Sequence, residues 1–508
     1  MTVLKVVLLD LDLDANVVLV NKETLNSNKI KVSSYVKLKS ENNEALCQVL
    51  GTFSIVPVDC IGLNDELLTK LAVSEGSTVN VFSRRKPSSL EYVKNKKYGI
   101  KWSESQIRSI VNDISMGLYT DLEISMFTLS QYYLDLDMDE IQHLTKNMAE
   151  FGTTLHFDEP VYDKHSIGGI PGNKVSLLIV PTVATSGLLI PKTSSRAITS
   201  PSGTADTMEV LCNVDFSADE ILEIAPKIRG MLVWGGTLDL SPLDEIVIQK
   251  VEQPLDIDPH SQMLASIFSK KISTGVNTMV LDIPTGPGSK MPTKEDAINY
   301  AYEATELGRR LGIQIEAALS YGDQPLGRCV GPALEAKEAL LTLSGEGSQG
   351  VFEKSVELTG ILFEMANLCP IGQGAKLASD YIKKGKSLEK LRAIIEVQGG
   401  NKNIKPDDIP IGPYSVNIDS PKDGYVASLS NQSIKKISNA AGTPRHKSAG
   451  VILHKKMGEY VQKDQPLMTI YSDSETKLTE AYNIASNLPH YVVEGMILQR
   501  ITPSSKRF

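Results

Sequence analysis

The sequence predicts a multidomain protein of the α/β and α+β classes. Three observations carry this. The chain has 508 residues, enough for three or four domains with separate cores. Its opening is rich in β-branched residues. From about residue 160, apolar strand candidates alternate with helical runs, the pattern of a mainly parallel sheet.

Residues 1–84 are expected to form a small β-rich N-terminal domain. VVLLDLDL (6–13), NVVLV (16–20), YVKLKS (35–40) and SEGSTVNVF (74–82) lie between Asn, Gly and Ser punctuators. SRRKPSSLEYVKNKKYG (83–99) breaks that pattern with charge and a proline, and reads as a linker. Residues 85–155 follow as a helical lobe. Ile107, Ile110, Val111 and Ile114 recur at i, i+3, i+4 and i+7, and Ser103 and Gln106 have capping-box spacing. Ile141, Leu144 and Met148 repeat the spacing.

Residues 156–415 carry the α/β pattern. The apolar runs VSLLIVPTVATSG (175–187) and MVLDIPTGPG (279–288) read as strands. KEDAINYAYEATELGRRLG (294–312) reads as a helix, IQIEAALSYG (313–322) as a strand, and a helix is expected near 332–343. The Pro-, Asp- and Asn-rich stretch 400–420 reads as a second linker. Residues 416–508 look α+β, with the turn spacing of a small β module. Its string GVILHKKMGEYVQKDQPLMTIYS is faintly like a lipoyl carrier domain, but it offers no lysine on a tight hairpin tip, so a structural role is expected.

Composition narrows the function. The net charge of −9 argues against a nucleic-acid surface, which needs a basic face, but allows a local basic pocket for a small anion. The five cysteines are scattered and form no CxxC pair, so neither a disulfide framework nor a zinc site is expected. The start MTVLKVVLLDLDLD lacks the features of a signal peptide, and the longest apolar stretch, 177–191, is too short to span a bilayer. The expectation is a cytoplasmic protein without membrane or nucleic-acid partners.

Four polar stretches suit anion chemistry. In 163-DKHSIGGIPGNKVS-176, glycines let backbone N–H groups approach an anion, and Lys164, His165, Ser166, Lys174 and Ser176 flank them. It is no Walker A loop, and a tight strand-to-helix turn is the simpler alternative. In 193-TSSRAITSPSGTADTMEVL-211, hydroxyls and Arg196 can donate to phosphate oxygens, though Thr204 and Asp206 also sit where helix caps are expected. In 254-PLDIDPHSQMLASIFSKK-271, Ser266 and Lys270 share a helix face, and Asp256 and Asp258 precede that helix, an ordinary place for acids. In 285-TGPGSKMPT-293, Lys290 lies in a Gly-rich loop, where a solvated lysine would also sit. His165 and His260 are not accompanied by a metal-binding motif, so no metal site is expected.

The order KHSIGG, SSRAITSPSGTADTMEVL, LASIFSKK, GPGSKMPT is far more specific than any one of them. It resembles the thymidine/pyrimidine nucleoside phosphorylase family. There the first loop reads KHS-x-GG, and the second runs from Ser-Gly-Arg through Gly-Gly-Thr to an Asp and a Glu. QPLGRCVGPALEAKEAL (324–340) and the C-terminal module are similar to that family as well, so the resemblance covers about residues 86–508. SRAITSP, KHSIGGIPGNK and the extra N-terminal domain resemble its archaeal-type branch, which acts on AMP. Two departures from thymidine phosphorylases agree with that branch. Ser200 stands where those enzymes carry a histidine, and PLDIDPHSQ with Asp258 stands where they have a pyrimidine-binding arginine.

The resemblance implies a helical lobe (85–155 with 243–275) and an α/β lobe that form a nucleoside-phosphorylase II cleft. It implies phosphorolysis of AMP, with CMP and UMP as further candidates, to free base and ribose 1,5-bisphosphate. Inorganic phosphate is the co-substrate and no cofactor is implied. Lys164, Ser166, Ser176, Ser194 and Thr204 match positions for the attacking phosphate. Gly169, Ser195, Arg196, Ala197, Ile198, Thr199, Ser200, Thr204, Ser266, Lys270 and Lys290 match nucleotide contacts, with Lys290 the best cation for the 5′-phosphate. Asp258 matches the general acid to the base. A carboxyl protonates a leaving group only where burial favours its neutral form, so that role implies lobe closure. The family also implies a homo-oligomer, a dimer or larger. The alternatives are a thymidine or pyrimidine nucleoside phosphorylase, a phosphoribosyltransferase, which would need magnesium held by acids that KHSIGGIPGNK lacks, and a nucleotide-binding or assembly protein without catalysis.

Overall fold

The structure is a computed structural model and describes residues 2–11, 16–197 and 200–498. The chain divides into two compact units, Met1–Phe151 with Pro242–Ala265, and Gly152–Ser241 with Ser266–Phe508.

The first unit opens with six strands: β1 (Thr2–Leu8), β2 (Val17–Asn21), β3 (Tyr35–Lys39), β4 (Glu44–Thr52), β5 (Cys60–Leu63) and β6 (Thr78–Ser83). They close into a barrel in the order β1-β5-β2-β4-β3-β6. Alternation explains the closure. Val18, Val20, Val36, Leu38, Val79 and Val81 fall on the inward face of their strands and form its core with Leu4, Val6 and Ile61. Residues 12 and 13 of the first expected strand lie outside the described residues.

Three helices follow, Glu104–Ser115, Asp121–Leu134 and Met138–Glu150, each opened by a capping box: Ser103 with Gln106, Thr120 with Glu123, Asp137 with Glu140. The apolar stripe Ile107, Ile110, Val111 and Ile114 is buried. The segment expected as a linker after the barrel is instead largely helical, with Ser89–Asn95 and the 3₁₀ turn Lys96–Tyr98. Leu90 and Val93 are buried there, and the buried Lys96 lies 2.6 Å from the Glu140 carboxylate. One neutralised lysine lets a charge-rich stretch pack.

In the second unit, β7 (Val161–Ser166) pairs in parallel with β10 (Val276–Thr285), which pairs in parallel with β11 (Gln314–Tyr321). The pair β8 (Ile190–Ser194) and β9 (Gly230–Trp234) is also parallel, and a bridge between Val161 and Leu189 joins it to β7. Successive strands therefore lie on one side of β7 and then on the other. The carboxyl ends at such a reversal form the crevice where α/β sheets bind ligands. The three loops 166–176, 194–204 and 285–293 leave β7, β8 and β10 at those ends.

Two expectations fail in this unit. The run expected as a strand at 175–187 is the helix Ser176–Thr185, with nine of its ten residues buried. A segment buried on every side has no polar face, so periodicity cannot tell it from a core strand. The stretch 400–420 is not wholly a linker: Tyr414–Asp419 is a strand paired antiparallel with Pro466–Ser472. The Pro- and Asp-rich flanks mask the short alternating YSVNID. The segment 243–275, expected with the helical lobe, spans the two units. The boundary falls inside the helix His260–Ser273, and residues from Ser266 belong to the second unit. Lys271 and Ser273 bond to Asp163 and to the Leu240 carbonyl there.

The C-terminal module packs Asn431–Ala441 and Glu475–Asn487 on a sheet that includes Gly450–Leu453 and Pro466–Ser472. The two-residue strand Cys329–Val330 adds to that sheet, tying the module into the α/β region. Among the described residues no helix is long and apolar enough to cross a membrane.

Candidate functional site

Two buried charge clusters lie on β7. Asp163, on one face, accepts from Lys271 Nζ at 2.5 Å and lies 3.4 Å from Lys192 Nζ of β8. Burial pushes the Asp163 carboxyl up, but Lys192 and Lys271 outweigh it and hold it below its ordinary value. Asp282, on β10 beside Ser166, is fully buried. It accepts from Ser166 Oγ, from Ser320 Oγ at 2.5 Å, and pairs with Lys354 Nζ at 2.8 Å. Burial pushes this acid up too, and Lys354 and Lys164 outweigh it.

These groups give three buried lysines, Lys164, Lys192 and Lys271, and the partly buried Lys354, against two aspartates. The surplus is positive and lies along β7, β8 and β10 and the helices that carry Lys271 and Lys354. Burial lowers Lys164 to about 8, with Asp282 pulling it back, and Lys192 to about 7, with Asp163 pulling it back. A bound dianion would reverse that cost. His165 is kept neutral by burial and by Lys271, Lys192, Lys164 and Lys270.

The first loop turns through Gly168, Gly169 and Gly172, all at positive φ. A Cβ on Gly169 would stand 2.6 Å from the Lys290 backbone nitrogen, so the first loop and the 285–293 loop touch backbone to backbone. The loop leads into helix Ser176–Thr185, whose N-cap Val175 makes no side-chain cap bond and whose first turn has no acid. An N-terminus of that kind favours an anion. Ser176 is its first residue and is buried. Lys174 points elsewhere. Its ammonium binds Glu338 and the Cys329 carbonyl at 2.8 Å, so it is an internal clamp rather than an anion ligand.

The second loop is folded on itself. Asp206 accepts from Ala197 N at 2.7 Å and Gly203 N at 2.9 Å, and a Cβ on Gly203 would meet the Ser195 carbonyl at 2.6 Å. Ser194 Oγ donates to the Val233 carbonyl at 3.3 Å, and Ser200 Oγ to the Ser202 carbonyl at 3.4 Å. Thr204 begins the short helix Thr204–Glu209. Arg196 is already engaged: Nη2 donates to Glu209 at 2.7 Å, and the guanidinium lies 4.2 Å over the Trp234 ring. Ile198 and Thr199 lie outside the described residues. Ser266 and Lys270 share a face of helix His260–Ser273, and Lys290 is exposed. Asp258 is exposed in the first unit, in the loop before that helix.

The structure thus brings Lys164, Ser166, Ser194, Gly169 and the Lys290 backbone to one end of one sheet. Sequence reading missed Asp163, Lys192, Lys271, Asp282, Ser320 and Lys354. Asp282 had a signal, an acid inside the apolar run MVLDIP. Lys192 and Asp163 sit beside residues already singled out, and Lys354 in its helix had none. Among the described residues no group of three His, Cys, Asp or Glu could hold a metal.

Residues 158–388 match the family described as "Glycosyl transferase family, a/b domain", and residues 425–491 match the "Pyrimidine nucleoside phosphorylase C-terminal domain". The AMP phosphorylase of Methanocaldococcus jannaschii is 44% identical over 99% of this chain and 100% of its own. The chain belongs to the AMP phosphorylase family. AMP phosphorylase 1 of Archaeoglobus fulgidus, at 45% identity over 95% of each chain, and the AMP phosphorylase of Thermococcus kodakarensis, at 44% over 98% and 99%, are further relatives. The crystal structure of anthranilate phosphoribosyltransferase from Thermus thermophilus shares the fold over 60% of this chain and 98% of its own, with a TM-score of 0.51 at 17% identity.

Proposed function

We propose that the chain catalyses phosphorolysis of AMP, as its relatives' name states: AMP and phosphate yield adenine and ribose 1,5-bisphosphate. The observation that carries the reading is the surplus of lysines, Lys164, Lys192, Lys271 and Lys354, over the aspartates Asp163 and Asp282 along β7, β8 and β10. The bond from C1′ to the base breaks with its electron pair going to the base, and a phosphate oxygen bonds to C1′. Catalysis requires a held nucleophile, a stabilised oxocarbenium-like centre and a proton for the base.

Lys164, Ser166, Ser176, Ser194 and Thr204 hold the attacking phosphate in this reading, with Lys192 and Lys271 supporting the charge from below. Ser166 Oγ donates its hydrogen bond to Asp282 in the structure, so phosphate binding requires that hydroxyl to rotate. Gly169, Ser195 to Ser200, Ser266, Lys270 and Lys290 face the nucleotide, Lys290 taking its 5′-phosphate. Asp258 protonates the base. Inorganic phosphate is the only co-substrate and no metal takes part. The protein works in the cytoplasm as a homo-oligomer.

The test is base release from AMP, CMP, UMP and thymidine, with and without phosphate. Release from AMP that needs phosphate and survives EDTA supports the reading, and thymidine should be inert. Thymidine cleavage at a rate matching AMP would make the protein a nucleoside phosphorylase instead. Asp258→Asn should lower kcat on the order of a hundredfold with KM for AMP little changed, and Asp256→Asn serves as control. Near-normal turnover in Asp258→Asn would remove the general-acid assignment.

A further inference from the structure

The second loop is held from outside by the C-terminal module. Glu209 closes the helix Thr204–Glu209. One of its oxygens accepts from Arg196 Nη2 at 2.7 Å, and the other pairs with the ammonium of Lys447. Lys447 belongs to the C-terminal module, more than two hundred residues away in sequence. Its position is fixed by backbone bonds on both sides. The Lys447 carbonyl accepts from Ala333 N at 3.0 Å, at the start of helix Pro332–Leu343, and the Ser448 carbonyl accepts from Gly412 N at 2.9 Å. Asp473 holds the flanking side chains, bonding Ser448 Oγ and lying 3.2 Å from His446 Nδ1.

Arg196 in turn is set by three groups. Glu209 binds Nη2, Asp215 lies 3.5 Å from the same nitrogen, and Trp234 covers one face. Asp215 is steadied by Thr237 Oγ1 at 2.9 Å. Arg196 Nε is buried without a hydrogen-bond partner among the described residues. A guanidinium clamped at Nη2 with Nε left over has its plane fixed and donor capacity to spare. Removing Lys447 would leave Glu209 shared between no cation of the module and one of the loop, free to swing with Arg196.

We propose that Lys447 is a positioning residue for AMP. It fixes Glu209, which fixes the Arg196 guanidinium, and so sets this nucleotide-facing side chain from the C-terminal module. This rests on reading that loop as the nucleotide wall. The ion pairs are partly exposed, so their value lies in orientation more than in stability.

The experiment is steady-state kinetics on the full chain, varying AMP and phosphate separately, with thermal melts in parallel. Lys447→Met should raise KM for AMP about three- to tenfold, leaving kcat and KM for phosphate unchanged. Lys447→Arg should restore the wild-type value. Arg196→Met should raise KM for AMP at least as far, and adding Lys447→Met to it should do nothing more. Glu209→Gln, which keeps the shape and breaks both pairs, should copy Lys447→Met should that variant fold poorly. If Arg196→Met raises KM for AMP while Lys447→Met and Glu209→Gln do not, the coupling is wrong and the loop reading stands. If Arg196→Met leaves KM for AMP unchanged, the loop reading fails and takes the coupling with it. Fully additive effects, or a fall in kcat that tracks a lowered melting temperature, would reduce Lys447 to a packing residue and overturn the proposal.

Discussion

Lys164, proposed as a phosphate ligand, would set both stability and function against pH. Burial lowers it from 10.5 to about 8. Between those values the unfolded chain carries a proton that the folded chain has released, so this group makes the fold more stable as pH rises through the window. In its proposed role phosphate binding runs the other way, because the cation is lost above about 8. The KM for phosphate should therefore climb with pH beyond about 8, approaching tenfold per unit, while stability in urea does not fall. Lys164→Met should give a raised KM for phosphate that is flat across the same range. A wild-type profile flat to pH 10 would contradict the assignment. Lys192, lowered to about 7, adds to the stability slope from a lower starting point.

At the scale of elements, the helix Ser176–Thr185 is anchored by what precedes it. Lys174 is fully enclosed and binds Glu338, which also accepts from Arg328 N at 2.9 Å and Cys329 N at 3.1 Å. One carboxylate thus joins the start of this helix, the helix Pro332–Leu343 and the segment leading into the strand Cys329–Val330. Breaking a buried pair strands the remaining charge, so Lys174→Met should destabilise by about 3–5 kcal/mol. Adding Glu338→Leu should recover part of the loss, as equilibrium unfolding in urea would record. A loss below about 1 kcal/mol would mean that water reaches Glu338.

The same helix marks what was legible in the sequence. Glycines, hydroxyls and Lys164 in the polar loops were visible because loops display their chemistry in consecutive residues. The helix itself was read as a strand, since an element buried all round shows no period. The lysine floor was hidden for a different reason. Lys192, Lys271 and Lys354 come from three separate elements, and only the sheet and the helices packed on it bring them to Asp163 and Asp282. The strand Tyr414–Asp419 and the helix Ser89–Asn95 were masked by prolines and charges at their flanks. The capping box at Ser103 and the helix near 332–343 stood out because their signals are local.

At the scale of the molecule, the two tryptophans report on different parts. Trp102 lies in the first unit, stacked 5.8 Å from Phe127, and Trp234 in the second, under Arg196. The barrel, the α/β region and the C-terminal module each have their own apolar core. Single-tryptophan variants, Trp102→Phe and Trp234→Phe, should therefore give unfolding curves with different midpoints. Superimposable curves would show one cooperative block. The N-terminal barrel carries a further consequence. With β6 paired back to β1, its ring has no first or last strand. A foreign strand therefore finds no edge strand to add to. Whatever this domain grips, it must grip with side chains and loops, and a search for its partner should mutate those rather than the backbone ladder.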